Sequence, residues 1–235
     1  MEDLSDNERE EQLRRFWADN WLWIVGGIAL GLGALAGWQY WQKSKLAAAE
    51  QDEASYVATL ELLGKNSKDE AVKKADELRS LHPKSPYADQ SDLALARFAV
   101  DTADWDLAGS RLRTVADTSR DPELRLIARA RLARVLAEQG KHDDALKLLD
   151  DANAGAFTAL FHDARGDVLA AKGDVAGARK AYDAALAATT TAMENQALDR
   201  EFIELKRDAL PAAAAVAPTP APAAAATTPA AGATP

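Results

Sequence analysis

Gly140-Lys-His-Asp-Asp-Ala145 and Gly173-Asp-Val-Ala-Gly-Ala178 set a glycine five residues ahead of an alanine, twice, 33 residues apart. A glycine suits a turn between two helices, where the backbone must adopt a conformation that other residues resist. An alanine shortly after suits the opening of a second helix that crosses the first closely. Two further alanines extend the series upstream, in Asp69-Glu-Ala71 and Asp106-Leu-Ala108, at intervals of 37 and 37 residues.

That spacing is close to the roughly 34-residue period of tetratricopeptide repeats, in which each unit is a pair of helices. Other positions follow the same register. Leu132, Ala133 and Leu136 take inward places on the first helix of the third unit, with Leu149 and Ala152 inward on the second. Gly166, Leu169, Tyr182 and Ala185 take the matching places in the fourth. Pro83 closes the first unit, and Pro122 follows the second helix of the second. Alanine, leucine, glutamate, lysine and arginine dominate from Lys45 to Asp208, a composition that favours helix throughout. The expected fold is all-α, a tetratricopeptide-like α-solenoid of about four helix pairs over residues 45–190. Each pair buries its apolar face only against its neighbours.

Downstream, Leu198, Phe202 and Leu205 lie at helical spacing, so residues 191–210 are expected to form a helix that caps the stack. Residues 211–235 contain only Ala, Pro, Thr, one Val and one Gly, and are expected to be a disordered tail.

Upstream stands an uncharged run, Trp21-Leu-Trp-Ile-Val-Gly-Gly-Ile-Ala-Leu-Gly-Leu-Gly-Ala-Leu-Ala-Gly-Trp-Gln-Tyr-Trp41. As a helix it would be about 31 Å long, matching a hydrocarbon core of about 30 Å. Tryptophans and a tyrosine mark both ends, as expected at headgroup level, and Lys43 and Lys45 can snorkel to the interface. Residues 21–41 are therefore read as one transmembrane helix. Gly26, Gly33 and Gly37 fall near one meridian of it, a surface on which a partner helix can approach closely. Ala34-Leu-Ala36 would suit a cleavable signal, but the flank before the run is acidic where a signal is basic.

Residues 1–20 are read as a cytoplasmic segment. It opens on the capping pattern Ser5-Asp-Asn-Glu8 and carries Leu13, Phe16 and Trp17 at helical spacing, a short amphipathic helix near the membrane surface. Three basic residues before the span against two just after it give only a slight bias toward an inside N-terminus.

The chain of 235 residues has net charge −9 and no cysteine. Disulfides and thiolate chemistry are excluded, and the acidic balance argues against nucleic acid. His82, His142 and His162 are scattered, with no pair at metal-ligand spacing, and no phosphate-binding glycine pattern or nucleophile elbow occurs. No cofactor is expected, and an enzyme is not expected. His142-Asp-Asp144 is read as solvated surface in the turn of the third unit. By register Leu93, Arg97, Ile127, Ala130, Arg134, Asp163 and Asp167 face the concave side, where such repeats bind extended polypeptide or one dedicated partner.

Several short motifs point further. Arg14-Arg-Phe-Trp17, Gly33-Ala-Leu-Ala-Gly-Trp-Gln-Tyr-Trp41, Arg131-Leu-Ala-Arg-Val135, Arg165-Gly-Asp167 and Lys172-Gly-Asp174 together resemble the YfgM family, ancillary subunits of the bacterial SecYEG translocon. The resemblance spans about residues 10–190. It implies a single-pass bacterial inner-membrane protein with a cytoplasmic N-terminus and periplasmic repeats. It also implies association with the translocon and with a membrane-anchored periplasmic chaperone resembling a prolyl isomerase, in the hand-off of emerging polypeptides. The family offers no catalytic residues. The Ala/Pro/Thr tail departs from the family pattern. Two functions stay open: an adaptor or chaperone at the translocon, and a structural scaffold of the envelope or division machinery with one fixed partner.

Overall fold

The computed structural model describes residues 6–150, 154–188 and 199–211, and every regular element among them is helical. The first helix, α1, runs without a break from Asp6 to Gly64. At about 1.5 Å per residue it is roughly 88 Å long. No proline occurs before Pro83, and beyond Trp41 the chain continues into Ala-, Glu- and Lys-rich sequence, so nothing stops it. The expected borders at residues 20 and 41 are therefore not breaks. Leu13, Phe16 and Trp17 continue the axis of the apolar run rather than forming a separate helix lying on a surface. Ser5 lies outside the described residues.

The apolar stretch of α1 is long enough to cross a membrane and none of it is buried against the rest of the chain, which distinguishes it from a core helix. Trp38 and Trp41 pack with ring centroids 5.2 Å apart, and the Lys45 ammonium lies 3.8 Å above the Trp41 ring. Burial begins at Asp52 and recurs at Tyr56, Thr59 and Leu62–Leu63, a helical period that turns one face to α2 (Lys68–Leu81). The single helix is thus apolar all round over residues 21–41 and one-sided from Asp52 onward.

The chain divides into two compact units, residues 1–91 and 92–235. In the first, Ala71, Ala75 and Leu78 of α2 are buried. The His82 ring bonds Asp52, and Arg79 pairs with Asp89 at 2.8 Å.

In the second unit, the later part of α3 (Pro86–Asp101) pairs with α4 (Trp105–Thr118). Then α5 (Pro122–Glu138) pairs with α6 (His142–Leu148), and α7 (Thr158–Lys172) with α8 (Val175–Ala188). Pro122 starts α5, with Asp121 as its cap. Leu112, Leu132, Leu136, Leu149, Phe161 and Val168 form the main core, interleaved with alanines. The last helix, α9 (Arg200–Asp208), buries Ile203 against Ala178, Tyr182 and Ala185 of α8. It falls within residues 191–210, where a capping helix is expected. Residues 191–198, Ala152 and the tail from 212 onward lie outside the described residues.

The same turn closes the first helix of every pair. Asn66, Ala103, Gly140 and Gly173 all take the left-handed conformation, with φ of 61°, 57°, 73° and 85°. At each, the next residue's N–H reaches back five residues, to the carbonyls of Leu62, Ala99, Leu136 and Leu169. The left-handed residue's own N–H reaches back three, which together make a Schellman closure. Five residues after each left-handed position stands Ala71, Ala108, Ala145 or Ala178, every one fully buried. The N–H groups of these alanines bond the carbonyls four residues back at 2.9–3.0 Å, opening the second helix. His142 is accordingly the first residue of α6 rather than part of the turn.

Candidate binding groove

Two cavities open on the side of the second unit formed by α3, α5 and α7. The smaller, of about 440 Å³, lies between α3 and α5. Leu93, Ala96, Arg97 and Val100 line it from α3, and Arg131, Arg134, Val135 and Glu138 from α5, both sets at i, i+3, i+4 and i+7. Trp105 and Leu112 of α4 complete its apolar surface. The larger, of about 740 Å³, involves α5, α7 and α9, with Ile127, Phe157, Leu160 and Phe202 among its walls. Arg131 and Arg134 border both. Each volume falls in the range of about 300–1,000 Å³ usual for binding clefts.

The structure brings Leu93 and Arg97 to the first cavity, Ile127, Asp163 and Asp167 to the second, and Arg134 to both. Ala130 belongs to the core instead. Arg97 is largely in solvent. Asp163 is buried, and Arg134 is held rather than free. Its guanidinium donates to Asp167 at 2.6 Å and Asp163 at 2.7 Å. Lys206 of α9 donates to the same two carboxylates, at 2.9 Å for Asp167, and the Tyr182 hydroxyl donates to Asp167 at 2.8 Å. Arg134 therefore ties α5 to α7, and reversing its charge would set three carboxylates together.

Burial pushes the Asp163 carboxyl up, and the neighbouring charge of Asp167 adds to this. Burial acts on Asp167 the same way, but Arg134 and Lys206 outweigh it and hold this carboxyl below the usual range. Burial beside Asp167 also pushes the Tyr182 hydroxyl up, keeping it a donor. Arg131 lies near Arg134 and Arg97. Partial burial and those two charges loosen its hold on its proton, although a guanidinium stays charged at neutral pH.

Arg131, Trp105 and the α9 residues Phe202 and Lys206 are parts of the groove that register reasoning did not single out. Arg131 was within reach, four residues after Ile127 and three before Arg134. Lys206 was not, because its partners stand 43 and 39 residues away.

Three short motifs acquire physical roles. In Arg165-Gly-Asp167, Arg165 bonds the carbonyl of Leu149 where α6 ends, Gly166 makes room for Tyr182, and Asp167 gathers three donors. In Lys172-Gly-Asp174, Lys172 pairs with Asp143 at 2.8 Å, Gly173 makes the turn, and Asp174 accepts the Gly177 N–H at 2.9 Å. In Arg131-Leu-Ala-Arg-Val135, the two arginines face the groove and the residues between them are core. The glycines Gly26, Gly33 and Gly37 have nothing within 4 Å of the position a side chain would occupy, so among the described residues no other part of the chain packs on them.

An apolar helix of membrane-spanning length that runs straight into paired repeat helices defines a tetratricopeptide-like protein with an N-terminal anchor segment. Residues 14–212 match the family described as a tetratricopeptide repeat-like domain, and that match takes in the apolar helix. The chain is 32% identical over 188 residues to the ancillary SecYEG translocon subunit of Escherichia coli, covering 80% of this chain and 90% of that one. It is 29% identical over 184 residues to the protein of the same name from Haemophilus influenzae, covering 77% and 89%. The Neisseria gonorrhoeae protein of that name is 27% identical over 209 residues, covering 88% and 98%. The chain belongs to this family of ancillary SecYEG translocon subunits. No solved structure matches it significantly.

Proposed function

We propose that this protein is a non-catalytic adaptor of the bacterial export machinery. Residues 21–41 span the inner membrane, the N-terminus is cytoplasmic, and the repeats stand in the periplasm. There the chain associates with the SecYEG translocon and with a membrane-anchored chaperone resembling a prolyl isomerase. Its groove receives extended segments of emerging polypeptide and helps pass them to periplasmic chaperones.

One observation carries this reading: α1 joins a membrane-length apolar segment to a repeat fold without any flexible joint. A partner that holds the span therefore also fixes the height of the first repeat pair above the bilayer. From Trp41 to Asp52, where packing begins, the exposed helix rises about 16 Å. A first repeat pair held on such a stalk suits a partner at the mouth of a pore. A photoreactive residue at Gly33 or Trp38 tests the association in cells. Adducts with translocon subunits are expected. Adducts with a single division or envelope protein, and none with the translocon, would replace the adaptor with a fixed scaffold.

A further inference from the structure

The two cavities differ in charge. In the larger, Arg134 and Lys206 face Asp163 and Asp167, so these four charges balance inside the fold. In the smaller, Val100, Trp105 and Leu112 present an apolar surface beneath Arg97 and Arg131. Arg131 makes no hydrogen bond or ion pair among the described residues. Arg97 has Asp101 at 4.0 Å, with side chains 87% and 67% exposed, a contact worth little in solvent. Glu138 adds a single negative charge to the lining. The chain as a whole carries a net charge of −9, so two weakly compensated guanidinium groups over one apolar cavity run against its balance.

Such a site selects by charge as well as by shape. A guanidinium fork accepts a carboxylate through two parallel hydrogen bonds, and the bond strengthens when an apolar ligand excludes water beside it. A basic segment would meet Arg131 and Arg97 unshielded. A wholly apolar one would desolvate them without giving them a partner. We propose that the smaller cavity binds an extended polypeptide segment that places an apolar side chain beside a carboxylate, the side chain against Trp105 and the carboxylate on Arg131 and Arg97. This rests on the reading of the concave side as a polypeptide site.

The test uses the full chain in a neutral detergent and three synthetic heptapeptides carrying an uncharged fluorophore. Their sequences are Gly-Ser-Asp-Phe-Glu-Gly-Ser, its amide version with Asn and Gln, and its basic version with two Lys. Fluorescence polarisation should rank the acidic peptide first, by about tenfold over the amide version, the size of one charge-assisted hydrogen bond. The preference should shrink as salt is raised and vanish in Arg131→Gln combined with Arg97→Gln. All three peptides binding alike would leave the groove standing and overturn the charge preference. Binding by none of them would remove the polypeptide site itself, and the preference with it. Because the amide peptide probes the unaltered protein, the answer does not depend on the variants folding.

Discussion

Gly166 of α7 lies so close under the ring of Tyr182 that a Cβ built on it would stand 2.4 Å from the ring edge. The ring cannot swing aside without loss, because its hydroxyl donates to Asp167 at 2.8 Å. Gly166→Ala should therefore destabilise the second unit by about 1–3 kcal/mol through overpacking. Thermal melting of the full chain in detergent checks this. A double change with Tyr182→Ala should cost less than the two single changes summed, since removing the ring frees the space. Strict additivity would show that the two residues do not conflict.

The four buried alanines that open the second helices make a sharper demand. Ala145 has no exposed surface, and it sits in the main core with Leu132, Leu136 and Leu149. Ala145→Arg forces a long charged chain into packed space and should cost several kcal/mol, enough to abolish a cooperative melt. Ala145→Ser, which adds only a hydroxyl able to bond its own helix, should cost about 1 kcal/mol. An arginine variant that melts like the parent would mean that this crossing is not tight.

How much of this was legible follows from where each signal lives. The turn was readable at Gly140 and Gly173 because glycine advertises a left-handed backbone. At Asn66 the signal was weaker, since asparagine tolerates the same φ without requiring it, and at Ala103 an ordinary side chain gave none. Ala103 in particular is held there against a cost of about 1 kcal/mol by the closing hydrogen bonds around it. Register could place Arg134, Asp163 and Asp167 on one side, but not reveal that they bind one another, since that depends on pairings 29 and 33 residues apart. The unbroken α1 was hidden for another reason. The change from aromatic belt to charged helix reads as a boundary, although no residue there stops a helix.

The charge cluster predicts an asymmetry between two neighbouring aspartates. Asp167 has a folded pKa below its ordinary value, so its contribution is present above about pH 3.9 and is lost as pH falls through the folded value. Asp163 has a raised pKa, so its contribution is present below about pH 3.9 and is lost as pH rises through the folded value. At neutral pH Asp167→Asn should thus destabilise more than Asp163→Asn, by about 3 kcal/mol against less than about 2. Melting temperature followed from acid to neutral pH should show a flatter acid limb in Asp167→Asn. The reverse order of the two variants would mean that Asp163 carries the paired charge.

Arg97 and Arg134, which sequence register treated alike, should separate in the same assay. Arg97→Glu changes a side chain that is 87% exposed and should leave the melt within about 0.5 kcal/mol of the parent. Arg134→Glu adds a third carboxylate to Asp163 and Asp167 and should lose about 3–5 kcal/mol. Equal behaviour would argue that the cluster does not bind α5 to α7.

The membrane helix gives the last expectation, and its structure makes the experiment clean. A side chain added at Gly33 or Gly37 would meet nothing within 4 Å, so bulk there costs this chain no contact of its own. Any loss must then come from a neighbour in the bilayer, where small residues allow close helix approach and van der Waals packing drives association. Single contacts between membrane helices average about 0.6 kcal/mol, so one substitution can pass unnoticed. Gly33→Leu with Gly37→Leu puts two bulky groups one turn apart on the same face, against whatever packs there. Recovery of translocon subunits with the tagged protein in mild detergent should fall severalfold, while the repeats melt at the parent temperature. Gly27→Leu with Gly31→Leu, a pair also four residues apart and equally open but on another face, controls for added bulk and hydrophobicity. If Gly33 and Gly37 can be filled without loss of recovery, the helix is held by another face or the partner is bound through the repeats, and the two are separated by repeating the recovery after residues 21–41 alone are replaced by an unrelated apolar span of equal length.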